Sequence, residues 1–89
     1  MLAPRYTRVF EKDLRRMMKR GKDVAKIKNV IRDLIHETPL DPRLRDHKLL
    51  GLYRDRRDCH VEPDWVLIYK KSAIEIVFER TGTHADLFH

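Results

Sequence analysis

The chain has 89 residues, 42% of them hydrophobic and 38% charged, which suits one domain with one modest core and a densely charged surface. Residues 1–57 carry 17 basic and 8 acidic side chains and residues 58–89 carry 3 and 6, so a strongly basic part, suited to a polyanionic partner, precedes a weakly acidic one. The single cysteine, Cys59, excludes an internal disulfide, and no apolar run approaches the length of a membrane span or a signal-peptide core.

Leu2 to Tyr6 is short enough for an edge strand, where Pro4 is tolerated. Thr7 is an expected N-cap, and after it Phe10, Leu14, Met17 and Met18 recur at helical spacing. Gly21 stops that helix. Asp23 caps a second one, whose apolar face is Val24, Ile27, Val30, Ile31, Leu34 and Ile35, and Thr38-Pro39 ends it. The short link between them predicts an antiparallel helix pair. Both helices are rich in Lys and Arg, a charge that steers nucleic acid. Residues 38–50 read as a loop that carries His47, with Leu49-Leu50 as its anchor.

From Leu52 the period changes to two. A strand is expected from Tyr53 to Val61, a turn at Glu62-Pro63, and a strand from Trp65 to Tyr69. That last strand is apolar on both faces, as a central, doubly covered strand is. Lys70-Lys71-Ser72 turns the chain, and Ile74, Ile76 and Phe78 line a third strand ending near Arg80. Gly82 permits a bend before a short terminal turn from Thr83 to Phe88. The order strand, helix, helix, three strands predicts an α+β domain in which a mostly antiparallel sheet packs on a helical hairpin.

The chemistry concentrates in Arg57-Asp58-Cys59-His60-Val61-Glu62-Pro63-Asp64-Trp65. Alternation puts Asp58 and His60 on one strand face, where a carboxylate can orient an imidazole and raise its pKa. Asp64 follows the turn, so it is expected across from His60 on the neighbouring strand. Arg57 and Cys59 alternate to the opposite face, which makes Cys59 a core residue rather than a nucleophile. Arg80 stands at the end of the last strand, and His84 follows the bend. A metal site built on the three histidines and two acids lacks a strong close ligand pair. There is no Gly-rich phosphate loop and no G-x-S-x-G motif. What remains is a general acid/base site on a basic domain. Such a site suits RNA, because the ribose 2′-OH supplies the nucleophile and no metal or cofactor is needed. The free thiol adds the expectation of a reducing, cytoplasmic setting.

The stretch from Tyr53 to Lys70 resembles the centre of a YafQ-type toxin of the RelE/ParE superfamily. So do Asp46-His47 followed by Gly51, and Phe78-Glu79-Arg80-Thr81-Gly82-Thr83-His84-Ala85-Asp86-Leu87-Phe88. The resemblance covers nearly the whole chain, with the three blocks in the family's order. It departs at Asp55-Arg56, where such chains commonly carry a small residue and an aromatic one, and His89 extends past the usual Phe ending. The resemblance implies a single toxin domain over residues 1–89, with a small sheet against two helices. It implies an endoribonuclease that cuts mRNA in the ribosomal A site, inhibited by an acidic antitoxin of the DinJ type. It implies a site of His47, Asp58, His60, Asp64 and His84, with Arg80 and Phe88 contacting substrate. His60 and His84 are then the proton-transfer pair, with His84 as the acid for the leaving 5′-oxygen. Asp64 positions a histidine or serves as base, Asp58 orients His60, His47 and Arg80 contact the scissile phosphate, and Phe88 stacks on a base. Two other readings stand beside it: a ParE-like toxin directed at DNA gyrase, and a non-catalytic nucleic-acid-binding module.

Overall fold

The computed structural model describes residues 1–88, and His89 lies outside them. Strand β1 (Ala3–Tyr6) leads into helices α1 (Arg8–Lys19) and α2 (Val24–Ile35). The short strand β2 (His47–Lys48), strands β3 (Arg57–Glu62), β4 (Trp65–Lys71) and β5 (Glu75–Gly82), and helix α3 (His84–Leu87) follow. The sheet order is β1-β5-β4-β3-β2, antiparallel except for the β1–β5 pair, so the expected α+β architecture is present.

The helices start where their caps dictate. Thr7 Oγ1 accepts from the Phe10 amide at 2.9 Å and donates to the Glu79 carbonyl at 2.9 Å, which ties the start of α1 to β5. Asp23 Oδ1 accepts from the Ala25 amide at 3.0 Å. Gly21, at φ 87°, takes the left-handed conformation that lets the chain leave α1 without a Cβ penalty. Helix α2 stops at Ile35, earlier than Thr38-Pro39, because Glu37 is already left-handed at φ 56°. The stripe Phe10, Met17, Ile27, Val30, Ile31 and Leu34 is buried against Cys59, Val61, Trp65, Leu67, Tyr69, Ile76 and Phe78 on one face of the sheet. Met18, expected on that stripe, is half exposed, whereas Asp13, between Phe10 and Met17, is buried.

Strand β4 is buried on both faces, as its composition predicts. Val66 and Ile68 on its second face pack with Leu87, Leu49 and Tyr53. The expected long strand from Tyr53 begins only at Arg57. Gly51–Tyr53 form a helical turn, and Asp55, at φ 69°, cannot continue a strand. The 38–50 segment is not all loop either, since Pro42–Leu44 make one helical turn and His47–Lys48 pair with β3. Strand β4 runs on through Lys71, so the turn falls at Ser72, whose hydroxyl accepts from the Ile74 and Glu75 amides and leaves Ile74 exposed. Strand β5 continues past Arg80 to Gly82, held by Trp65 Nε1 donating to Thr81 Oγ1 at 2.9 Å and that hydroxyl donating to the Val66 carbonyl at 2.8 Å.

Candidate active site

Strand register assembles the site on the sheet face turned away from α1 and α2. One cross-strand row runs His47, Asp58, Ile68, Arg80, and the next runs His60, Val66, Gly82. Strand alternation therefore puts Asp58 and His60 on the face of Val66 and Ile68, and Cys59 in the helix-side core. His47 is held by the loop before it. Asp46 accepts from the Tyr69 hydroxyl and from Arg57 Nε, the latter at 3.2 Å, which staples the start of β2 to β3 and β4.

Helix α3 delivers His84 and Phe88. Thr83 accepts from the Asp86 amide at 3.2 Å while the Asp86 carboxylate accepts from the Thr83 amide at 2.9 Å, a reciprocal capping box. Asp86 also takes two hydrogen bonds from Arg20, at 2.7 and 3.2 Å, so α3 is anchored to the end of α1. Gly82 makes the approach possible, because a Cβ there would lie 3.0 Å from Asp86 Cβ.

The rings form a continuous row. Centroids are 6.4 Å apart for His47–His60, 5.2 Å for His60–His84, 5.9 Å for His84–Phe88 and 5.7 Å for Phe88–Tyr53. Two of the imidazoles have a fixed tautomer. His84 Nδ1 donates to Asp64 Oδ1 at 2.7 Å, and His47 Nδ1 donates to the Arg45 carbonyl at 2.6 Å, so in each neutral ring Nε2 is the free basic nitrogen. Asp64 sits on the β3–β4 turn and reaches His84 rather than facing His60, whose cross-strand neighbour is Val66. The buried Asp58, expected to orient His60, has Oδ1 3.0 Å from His47 Nδ1, and that oxygen has no hydrogen-bond partner among the described residues.

Burial sets the electrostatics. Removal from water pushes the Asp58 carboxyl up, against the opposing pull of His47, His60 and His84. The His60 imidazole is pushed down by burial, opposed by Asp58, and pushed further by the charges of His84, Arg45 and His47. The Asp64 carboxyl is held below its usual range by the hydrogen bonds from the His84 backbone and ring.

Arg80 reaches the site row, yet its guanidinium is committed elsewhere. Nε and Nη2 donate to Asp13 at 2.7 and 3.2 Å, and Asp13 also accepts from the Thr81 amide at 3.2 Å. Arg56, at the position that departs from the family pattern, donates from Nε to Glu79 at 2.6 Å. Among the described residues no group of three or more His, Cys, Asp or Glu side chains is placed to hold a metal ion. The sequence reading missed Tyr53, Asp13, Arg45 and the Thr83–Asp86 cap. Two of these left a signal, Thr83-x-x-Asp86 and the place of Asp13 on the apolar stripe of α1.

A sequence model of the family described as "Bacterial toxin of type II toxin-antitoxin system, YafQ" matches residues 2–89. The mRNA interferase toxin YafQ of Escherichia coli (strain K12) is 48% identical over 84 residues, 93% of this chain and 91% of that protein. The crystal structure of the E. coli DinJ-YafQ complex aligns with a TM-score of 0.93 at 44% identity, covering 100% of both chains. A metal-bound toxin from Helicobacter pylori aligns with a TM-score of 0.91 at 36% identity, covering 99% of this chain and 100% of that one. The chain is thus a toxin of a type II toxin–antitoxin system. It belongs to the YafQ family.

Proposed function

We propose that this chain cuts mRNA in the ribosomal A site by metal-independent acid/base catalysis, with the ribose 2′-OH as nucleophile. The enzyme is an endoribonuclease of the mRNA interferase kind, as its relative's name states for that protein. The observation that carries the mechanism is the pair His60 and His84, with ring centroids 5.2 Å apart on the open sheet face. His60, pushed down by burial, is neutral near pH 7 and takes the 2′-OH proton. The 2′-oxygen then bonds to phosphorus as the P–O5′ bond breaks. His84, oriented by Asp64 through Nδ1, delivers a proton from Nε2 to the departing 5′-oxygen. The products are a 2′,3′-cyclic phosphate and a 5′-OH.

His47 contacts the scissile phosphate, and Asp58 acts on His47 and His60 through its charge. Arg80 contacts the phosphate with the part of its guanidinium that Asp13 leaves free. Phe88, next to His84 and Tyr53 in the ring row, stacks on a base. Residues 1–89 work as one toxin domain in the cytoplasm. The antitoxin is DinJ-like, as the complex of the E. coli relative suggests, and its acidic segment folds on the basic surface.

End-group analysis of ribosome-bound mRNA, with and without chelator, tests this. The expected upstream end is a 2′,3′-cyclic phosphate or its hydrolysis product, the downstream end is 5′-OH, and chelator has no effect. A 5′-phosphate, or activity abolished by chelator, points instead to a metal-dependent nuclease, a comparison made pertinent by the metal-bound H. pylori toxin.

A further inference from the structure

Beside His60, on the side away from β4, lies a cavity of about 460 Å³ lined by Asp41, Arg43, Leu44, Arg45, His60, Val61, Glu62 and Pro63. Four of those residues are charged at neutral pH, and three of them are already matched. Asp41 accepts three hydrogen bonds from the Arg43 side chain, the shortest at 2.9 Å. Glu62 accepts from Lys22 at 2.7 Å and from Lys26 at 2.8 Å. Arg45 has no carboxylate partner among the described residues, so its charge sets the field of the cavity.

The backbone at Arg45 is unusual as well. It is left-handed, at φ 52° and ψ 46°, a conformation that costs a non-glycine residue about 1 kcal/mol. That conformation ends the Pro42–Leu44 turn and presents the Arg45 carbonyl to His47 Nδ1 at 2.6 Å. The same residue therefore fixes one ring of the histidine row and supplies the unmatched cation next to another. Arg80, by contrast, is tied to Asp13 on the far side of the row.

We infer that the cavity beside His60 is an RNA subsite in which Arg45 binds the phosphate adjacent to the scissile one. This rests on the reading of the histidine row as a ribonuclease site. RNA then crosses the sheet face from Phe88 and His84, over His60, into the cavity. The charge-assisted contact from Arg45 holds the strand in register for the 2′-OH of the nucleotide between the two phosphates.

The test is salt-dependent binding of a single-stranded 2′-O-methyl RNA oligonucleotide, which cannot be cut because its nucleophile is blocked. R45G removes the side chain and keeps the left-handed backbone, and with it the carbonyl that holds His47. It is expected to weaken binding about 10-fold and to flatten the slope of log K against log salt by about 0.7, one phosphate contact on a single strand. R45K should restore the slope. Unchanged binding in R45G, weakened binding with an unchanged slope, or no binding by the wild-type protein at low salt would each overturn the inference. Cleavable mRNA on ribosomes is assayed in parallel. If wild-type protein leaves it intact while Arg45 still governs the salt slope, the nuclease reading fails and the phosphate subsite stands.

Discussion

Asp64 and His84 are joined twice through one oxygen. Asp64 Oδ1 accepts from the His84 backbone amide at 2.9 Å and from the ring Nδ1 at 2.7 Å. One carboxylate on the β3–β4 turn thus fixes both the first turn of α3 and the direction of its imidazole.

Replacing Asp64 by Ala frees the ring to rotate and to change tautomer. Single-turnover cleavage is expected to fall by roughly 10²-fold, the scale of a lost orienting group in acid/base catalysis. Asp64→Asn keeps an acceptor oxygen and should recover part of that rate. Full activity in Asp64→Ala would remove the pair from the mechanism.

The second expectation is a pH shift with a defined sign. The ionised Asp58 favours the protonated form of His60 and so opposes the downward push of burial. In Asp58→Asn that opposition is gone, so His60 titrates lower still. The acid limb of kcat/KM, set by a base that must be unprotonated, should move to lower pH, and the His60 ring signals in an NMR titration should move with it. A shift of the limb to higher pH contradicts the assignment of His60 as base.

Asp13 is 1% exposed and answers three donors, two from Arg80 and one from Thr81. Asp13→Ala strands the Thr81 amide and leaves the Arg80 charge half covered. A loss of about 2 kcal/mol is expected in denaturant unfolding, below the figure for a fully buried pair because the Arg80 side chain still meets solvent. Activity should fall as well, since Arg80 is no longer positioned.

Cys59 is fully buried in the helix-side core, and burial pushes its thiol far up. The folded protein should resist alkylation. Cys59→Ser should keep most of its activity while losing about 1–3 kcal/mol of stability, the cost of a hydroxyl in an apolar site. Inactivation of the native protein by a thiol reagent would show that the side chain is not where the strand places it.

The helices and the central strand were legible because their apolar spacing spans several turns or alternations. Asp58 and His60 were legible as one face for the same reason. Strand β2 was not, since two residues carry no period. Without β2 the register His47 to Asp58 was hidden, and with it the partner of Asp58. The Asp13–Arg80 pair joins residues 67 apart in sequence, yet half of it was visible. Asp13 lies three residues after Phe10 and four before Met17, on the apolar stripe of α1, where a carboxylate needs a partner.

The first strand is parallel to β5 and has no other neighbour in the sheet. During synthesis β1 emerges long before residues 75–78 and must wait until they exist before it can pair. At roughly 5–20 residues per second that delay lasts several seconds. Strand β5, which completes this pairing, and helix α3, which carries His84, are made after the other elements of the fold. The ring of His84 therefore joins those of His47 and His60 only once strand β5 has been made, so the histidine row does not assemble on a partly synthesised sheet.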